Sequence, residues 1–401
     1  MHKGNNPILP KNRIEFLDAL RGVALLGIIL ANMVSYSLFL YLADHQLNNI
    51  GLSRLDKILD FLELMLIEGK FYTIFSILFG IGFSIIIERS RSKNQNFIRF
   101  FLWRMTLLAL MGVIHAIFFW HNDILLFYAC CGMLLIPMSG LSGRTILFIA
   151  IIMFLVPLGI KLTFGTTGDL FLQIQNQLFE KYGFTESNRV DVWTNGSWID
   201  ILQLNLSMWF GQFEYVIGHG MIYKIFGSFL IGYLFGRRKL HERLVELKPD
   251  LKKIALWGVL IGLVLNFIYA SNFYTESWKL SLSETFGILP LSLGYIALTA
   301  IFWQSDQFKK GMSLFVPVGR MALTNYIFQS VICTLIFYNT GLALGAEYGP
   351  SRYLLLGLII YACQVIMSKV WLAKFQYGPL EWLWRSLTYG KILSNLKNKN
   401  H

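Results

Sequence analysis

Long apolar runs recur along the whole chain and restrict the folds open to it. About ten runs come close to the roughly 20 residues that a helix needs to cross about 30 Å of hydrocarbon. They lie approximately at residues 18–42, 71–88, 105–121, 123–138, 145–163, 217–236, 254–271, 283–303, 316–338 and 352–372. The runs are too long and too uniformly apolar for the alternating strands of a porin. The sequence therefore predicts an all-α fold, a polytopic transmembrane helical bundle of about ten helices that forms one integral membrane domain over residues 1–401.

The first apolar run is predicted to be retained as helix one. It begins with Asp18 and Arg21 and contains the polar Asn32, and no small-residue cleavage site follows it, unlike a signal peptide. The four cysteines fall inside predicted spans and show no metal-ligand spacing such as CxxC. We interpret them as packing residues.

The net charge of +12 would indicate nucleic acid in a soluble protein, but here the positive residues are sorted by membrane side. Only 14% of the residues are charged, and most lysines and arginines lie at the termini and in alternate loops, with the densest cluster at residues 237–253. The positive-inside rule then places both termini in the cytoplasm. Membrane lipids are the expected partners of these charges, and no nucleic acid is expected.

The longest segment outside the predicted spans covers about residues 164–216 and is predicted to be external. The stretch FLQIQNQLFEKYG has the spacing of an amphipathic helix, and Trp193, Trp198 and Trp209 suit the aromatic belt at the headgroups. A loop of this length often covers a functional site. The segment could form a lid over an outward-facing site, or it could be a solvated connector, and the sequence leaves both alternatives open.

Arginines gather at the predicted cytoplasmic helix ends, with one carboxylate among them. Asp18 and Arg21 share a helix face, and Arg104, Arg237, Arg238, Arg320 and Arg385 lie at other helix ends. Any one arginine could be a topology anchor that extends its charge to the headgroups. Asp18 does not help topology, so we expect it to orient Arg21 or a neighbouring arginine by bidentate pairing.

Two histidines and an aspartate occupy the predicted external turn in VIHAIFFWHND. His115 could be a hydrogen-bonded packing residue, His121 an interfacial residue and Asp123 the N-cap of the next helix. Together they resemble the imidazole and carboxylate of a general base. Metal ligation is open, but no HExxH-like spacing supports it and no metal is expected. Further polar residues predicted on this side are Glu68, Lys70, Glu214 and His219.

The predicted ninth helix carries the polar stretch GRMALTNYIFQS. Asn325 and Gln329 are four residues apart and share one helix face. They could line a cavity, or they could hold helices together by interhelical hydrogen bonds.

Five stretches follow one another between residues 13 and 391: RIEFLDALRGVALLGIILANM, EGKFYTIFSILFGIGF, GVIHAIFFWHNDILLFYACCG, GRMALTNYIFQS and YGPLEWLWRSLTYGK. Together they resemble the signature blocks of the YeiB-like family of bacterial multi-pass membrane proteins. The resemblance covers nearly the whole chain. It implies a multi-pass protein of the bacterial cytoplasmic membrane.

The LDALRG opening, the ten-helix layout and a histidine on the outer side also resemble, more distantly, the transmembrane acyltransferases that include heparan-alpha-glucosaminide N-acetyltransferase. That resemblance implies transfer of an acyl group from cytoplasmic acetyl-CoA or another acyl-CoA to an extracytoplasmic acceptor. His115 would be the essential histidine and Asp123 its partner. The family block commonly has a glycine before the aspartate, whereas this chain has Asn122 preceded by His121, which adds a second candidate histidine.

The polar residues predicted on the two sides of the membrane fit such a reaction: the arginines with Asp18 on the cytoplasmic side, and the histidines with Asp123 on the outer side. The phosphates of acyl-CoA would lie near Arg104, Arg237, Arg238 and Arg320, close to the Asp18 and Arg21 pair. His115 would act as a base or carry the acyl group, and Asn325 or Gln329 would stabilise the oxyanion. The alternatives are a transporter or flippase of a small molecule or lipid, and a scaffold without small-molecule chemistry. The acceptor, the acyl chain length and a homo-oligomeric state are left open by the sequence.

Overall fold

The chain folds almost entirely into helices. The computed structural model describes residues 13–43, 46–47, 50–92, 97–164, 169–275 and 278–397. Within these ranges the only β-type pairing is an isolated bridge between Phe375 and Leu396. The predicted all-α class is therefore confirmed.

Seventeen α-helices are found in the described part of the chain. The first nine are α1 (Glu15–Tyr36), α2 (Arg54–Leu66), α3 (Lys70–Ser92), α4 (Phe97–Phe118), α5 (Leu125–Met138), α6 (Gly143–Phe164), α7 (Asp169–Tyr182), α8 (Arg189–Asn195) and α9 (Trp198–Phe213). The remainder are α10 (Met221–Arg237), α11 (Lys248–Asn272), α12 (Trp278–Trp303), α13 (Asp306–Met312), α14 (Val316–Arg320), α15 (Ala322–Phe337), α16 (Pro350–Lys374) and α17 (Pro379–Tyr389). Helices α7 to α9 occupy the long segment in which one amphipathic helix was expected.

Seven helical segments among the described residues are long and apolar enough to cross a membrane, with α2 and α3 counted as one of them. The three remaining predicted spans take other forms. Helix α5 has 14 residues and α10 has 17, whereas the ninth predicted span consists of helices that meet at Met321 with a bend of 79°. Taken as one span, the bent pair raises the number to eight. The polytopic helical bundle is confirmed.

The outer surface of the bundle is apolar on several helices. Phe148 on α6, Val264 on α11 and Ile366 on α16 each expose about two thirds of their surface. Such side chains are suited to hydrocarbon, because lipid tails provide the same apolar surroundings as a protein core. Polar side chains with little exposure lie mainly inside the bundle instead, among them Lys70, Asn205, Asn266 and Gln329.

Glycines let the central helices α3 and α10 pack with their backbones in contact. A Cβ atom at Gly232 would lie 1.9 Å from the carbonyl oxygen of Ile77, and one at Gly80 would lie 2.1 Å from that of Phe229. No side chain fits at either position unless the helices separate. Close packing through small residues is a main source of association between membrane helices.

We expect Gly232→Ala to destabilise the bundle by about 1–3 kcal/mol, the usual cost of overpacking. Gly159→Ala is the matched control, because a Cβ at Gly159 on α6 meets nothing within 4 Å. Thermal unfolding of both purified variants in detergent measures the difference. Equal melting temperatures for the two variants would contradict the close contact between α3 and α10.

Candidate functional site

A cavity of about 780 Å³ passes through the bundle beside α1, α3 and α4. Its lining follows α1 from Asp18 to Ser35, a rise of about 25 Å at 1.5 Å per residue. Apolar side chains line its middle, including Leu25, Phe75, Phe79, Phe83 and Leu108. The arginine end is lined by Arg13, Arg21, Arg89, Arg104, Arg320 and Arg385. The carboxylate end is lined by Asp60, Glu63, Glu68, Glu186 and Glu214, together with Arg189, which pairs with Glu186.

The arginine end carries an excess of positive charge. Of the described residues that line it, Asp18 and Glu381 are the acidic ones. Arg21 donates from Nη1 to Oδ1 of Asp18 at 2.6 Å, and Arg13 lies 3.7 Å from Oδ2. The predicted pairing of Asp18 with Arg21 is confirmed, although one nitrogen of Arg21 makes the bond rather than two. Asp18 thus holds Arg21 by a hydrogen bond and Arg13 by charge alone, and the end retains a net positive charge.

Helix α17 closes the arginine end and contributes Arg385. The guanidinium of Arg104 lies 3.6 Å above the Trp384 ring, and the Trp384 indole N–H donates to the Arg104 carbonyl oxygen at 3.1 Å. Burial, together with the positive charge of Arg13, lowers the pKa of Arg385 below its ordinary value. An anion bound at this end would relieve the repulsion among these charges.

Arg320 lies at the bend between α14 and α15. Its Nη2 donates to the Gln376 carbonyl oxygen at 3.4 Å, while its Nε is buried and has no hydrogen-bond partner in the described part of the chain. Two further arginines that were predicted on the cytoplasmic side lie elsewhere. Arg237 donates to the Leu141 carbonyl oxygen at 2.8 Å on the surface, Arg238 is exposed, and neither lines the cavity.

His115 and Asp123 form a buried pair where α4 ends and α5 begins. Nδ1 of His115 lies 2.9 Å from Oδ1 of Asp123, with 1% and 0% of the side chains exposed. Since a carboxylate can only accept, Nδ1 carries the proton in this bond. Oδ2 of Asp123 accepts the Leu126 backbone N–H at 3.0 Å. The N-cap position itself is Ile124, so Asp123 satisfies a backbone donor of the first turn from one residue before the N-cap rather than from the predicted N-cap position. Gly112 allows this close approach, because a Cβ there would lie 2.7 Å from Oδ2 of Asp123.

The second ring nitrogen of His115 is unused. Nε2 is buried and has no hydrogen-bond partner among the described residues. With the proton on Nδ1, a neutral imidazole keeps a lone pair on Nε2, the arrangement that a carboxylate enforces in general-base histidines. The ring lies against Tyr326, with centroids 5.4 Å apart, and Tyr326 lines the cavity. His115 is therefore one side chain behind the cavity wall.

His121 belongs to a separate aromatic and polar cluster. Its Nε2 lies 2.7 Å from the Tyr41 hydroxyl, and its ring stacks on Trp193 at 5.4 Å. The prediction that Trp193 lies in the interfacial belt is wrong, because its fully buried ring covers His121 and its indole N–H donates to Asn205 at 3.1 Å. Burial, aided by the charge of Arg189, lowers the pKa of His121 to about 3.

Asn325 and Gln329 lie inside the bundle and do not line the cavity. Nδ2 of Asn325 donates to the Val318 carbonyl oxygen at 3.1 Å and to Oγ of Ser368 at 3.0 Å. Nε2 of Gln329 donates to Oε1 of Gln364 at 2.9 Å. These contacts match the interhelical alternative that the sequence left open. They engage both amide N–H donors of Asn325 and one of the two of Gln329.

Several residues of this region were not predicted from the sequence. Tyr41, Trp193 and Arg189 surround His121 from distant parts of the chain, and no local pattern connects them. Glu63 could have been found, because an acidic side chain stands out in the apolar stretch DFLELML. No three histidine, cysteine or acidic side chains in the described ranges converge as ligands of a metal ion.

Comparisons with known proteins place this chain among bacterial relatives. The family model described as a protein of unknown function, DUF418, matches residues 235–391. The chain is 29% identical to the uncharacterized protein YxaH of Bacillus subtilis, covering 96% of each chain. It is 30% identical to the uncharacterized protein YeiB of Escherichia coli, covering 93% of this chain and 95% of the relative. An uncharacterized 39.9 kDa protein from the amylase 3′ region of Bacillus acidopullulyticus is 29% identical, with 98% and 99% covered.

The buried His121 predicts a loss of stability in mild acid. Its folded pKa of about 3 lies below the ordinary 6.5, so the unfolded chain binds a proton that the folded protein excludes. Stability from this group is complete above pH 6.5 and falls as the pH drops toward 3. Between pH 7.5 and 5.5 we expect the free energy of unfolding of wild type to fall by roughly 1.4 kcal/mol more than that of His121→Gln.

Thermal unfolding in detergent at both pH values measures this difference. His219→Gln is the control, because His219 is about half exposed and its replacement should leave the pH dependence of wild type unchanged. If the melting temperatures of wild type and His121→Gln fell equally between the two pH values, His121 would not be the source of the acid sensitivity.

Proposed function

Because the chain belongs to the YeiB-like family of bacterial multi-pass membrane proteins, we propose that it is an acyltransferase that works across the bacterial cytoplasmic membrane. The acyl donor is acyl-CoA, and the acceptor is a hydroxyl or amine on the other side. One observation carries the proposal: a single cavity connects a cluster of arginines with the wall that covers His115.

The arginine end suits the nucleotide of acyl-CoA. Its phosphates carry several negative charges, and guanidinium groups bind phosphate by charge-assisted hydrogen bonds. With both termini in the cytoplasm, the start of α1 and therefore Arg21 face the cytoplasmic pool of acyl-CoA. The apolar middle of the cavity suits the pantetheine arm and the acyl chain, which would extend along α1 toward Tyr326.

The His115 and Asp123 pair suits the chemical step. Nε2 takes the proton of the acceptor O–H or N–H as the acceptor attacks the thioester carbonyl carbon. The C–S bond then breaks, and the leaving thiolate takes that proton from Nε2. In the covalent variant Nε2 itself attacks the carbonyl, the C–S bond breaks and CoA leaves as its thiolate. The acceptor then attacks the acyl carbon, the bond from Nε2 to that carbon breaks, and the acceptor proton passes to the thiolate. Both routes use the same lone pair, and both require Tyr326 to move aside.

The 79° bend beside Arg320 favours a second candidate function, transport of an organic anion. Discontinuous helices in transporters often present their ends to a bound substrate near the middle of the membrane. A transporter would bind and move the intact anion, and its turnover would not depend on the lone pair of His115. The two candidates therefore differ in their response to a single substitution.

Binding of acetyl-CoA tests the arginine end. We expect Arg320→Ala and Arg21→Ala each to weaken competable binding of labelled acetyl-CoA roughly tenfold or more, because each removes a charge-assisted contact. Arg238→Ala is the matched control, since this exposed arginine does not line the cavity. The measurement is equilibrium binding to purified protein in nanodiscs with free CoA as competitor. No competable binding of acetyl-CoA or of longer acyl-CoAs would remove the acyltransferase proposal.

Turnover tests the histidine. We expect His115→Gln to keep the acetyl-CoA affinity of wild type and to lower CoA release in inside-out vesicles by about 100-fold or more, the usual scale of general-base catalysis. His219→Gln, at an exposed histidine, should retain full turnover. Wild-type turnover in His115→Gln, together with uptake of an intact anion, would favour the transporter.

A further inference from the structure

The carboxylate end of the cavity has the opposite charge to the arginine end. Asp60 and Glu63 project from successive turns of α2, Glu68 lies between α2 and α3, and Glu214 follows α9. Glu63 interacts electrostatically with both Asp60 and Glu68. Acidic side chains thus gather around one space inside a membrane protein, where unpaired charge is costly.

Glu63 is a buried carboxylate that lines the cavity without a complete set of partners. Only 5% of its surface is exposed, and its Oε1 has no hydrogen-bond partner in the described part of the chain. Burying a carboxylate oxygen without a partner costs several kcal/mol. A ligand that supplies positive charge and hydrogen bonds would remove this cost.

The lysines nearby form no ion pair with Glu63, although the charge of Lys70 acts on it from a longer distance. The buried Lys70 donates from Nζ to the Leu64 carbonyl oxygen at 2.7 Å and lies 5.2 Å from the Tyr269 ring centroid. Lys224 is paired with Glu284 at 2.5 Å. Within the described ranges no lysine or arginine nitrogen lies within 4.0 Å of the Glu63 carboxylate.

Aromatic rings line the same end of the cavity. Tyr72, Tyr215, Phe273 and Tyr274 all contribute to the wall, and the Tyr274 hydroxyl donates to Oδ2 of Asp60 at 2.9 Å. The faces of such rings attract organic cations, and aromatic side chains with carboxylates form the usual binding sites for alkylammonium groups. A metal ion would need several oxygen ligands around one point, and no three such groups converge here among the described residues.

We propose that the carboxylate end binds an organic ammonium group, with Glu63 as its principal counter-charge and the aromatic rings around its alkyl part. The inference goes beyond acyl transfer, because binding of the cation requires neither acyl-CoA nor His115. The contrasting explanation is that Glu63 holds a proton and binds nothing. A glutamine at this position mimics the protonated acid and separates the two explanations.

Equilibrium binding of labelled choline to the protein in nanodiscs at low ionic strength tests the proposal. The competitor is 3,3-dimethylbutan-1-ol, which has the shape of choline without its charge. We expect choline to bind, the alcohol to compete at least about tenfold more weakly than unlabelled choline, and Glu63→Gln to weaken choline binding at least about tenfold. The exposed Glu246→Gln is the matched control and should bind choline as wild type does.

Three results would overturn the proposal: equal competition by choline and the alcohol, wild-type affinity in Glu63→Gln, or no binding of choline, ethanolamine and tetramethylammonium. If Glu63→Gln fails to fold, Glu68→Gln and Tyr215→Leu provide the same test at two other wall residues. Acetyl-CoA binding is measured on the same Glu63→Gln sample and is expected to be unchanged. Failure of cation binding is therefore distinguishable from failure of the acyltransferase proposal.

Discussion

Helix ends inside a membrane protein must find partners for their free backbone groups, because hydrocarbon offers none. This chain meets the requirement with acidic side chains. Oε1 of Glu381 on α17 accepts the backbone N–H groups of Leu323 and Thr324 at 2.7 and 3.0 Å. Oδ1 of Asp56 on α2 accepts that of Ser351 at 2.8 Å, at the start of α16. Each carboxylate satisfies a helix end and also joins two helices that are distant in sequence.

The bend at Met321 depends on side chains that satisfy the backbone groups of helix ends in this way. A break in a helix exposes N–H groups after it and carbonyl groups before it. Glu381 accepts from the first set, and Nδ2 of Asn325 donates to the Val318 carbonyl oxygen of the second. With both sides satisfied, the chain can turn by 79°. The turn lets Arg320 line the cavity instead of extending along a straight helix.

The sequence predicted the features that depend on near neighbours in the chain. All ten apolar runs correspond to helical segments, because apolar length alone decides whether a segment can remain in hydrocarbon. His115 and Asp123 meet because one tight turn joins their helices, and Asp18 meets Arg21 because they share a helix face. The orientation of an arginine at a helix end was not predictable. Arg320 and Arg238 have similar positions relative to apolar runs, yet only Arg320 lines the cavity, since packing of remote helices decides which side faces inward.

The cavity combines opposite charges at its ends with an apolar middle. Electrostatic interactions are stronger in the low-dielectric interior than in water, so each end favours ligands of one sign and repels the other. An elongated molecule with an anionic head and an apolar arm could then enter in only one orientation, with its head among the arginines. A cationic ligand would be held about 25 Å away, at the far end of α1. Charge alone would therefore order two different ligands along one cavity, with their uncharged parts meeting in the apolar middle beside Tyr326 and His115.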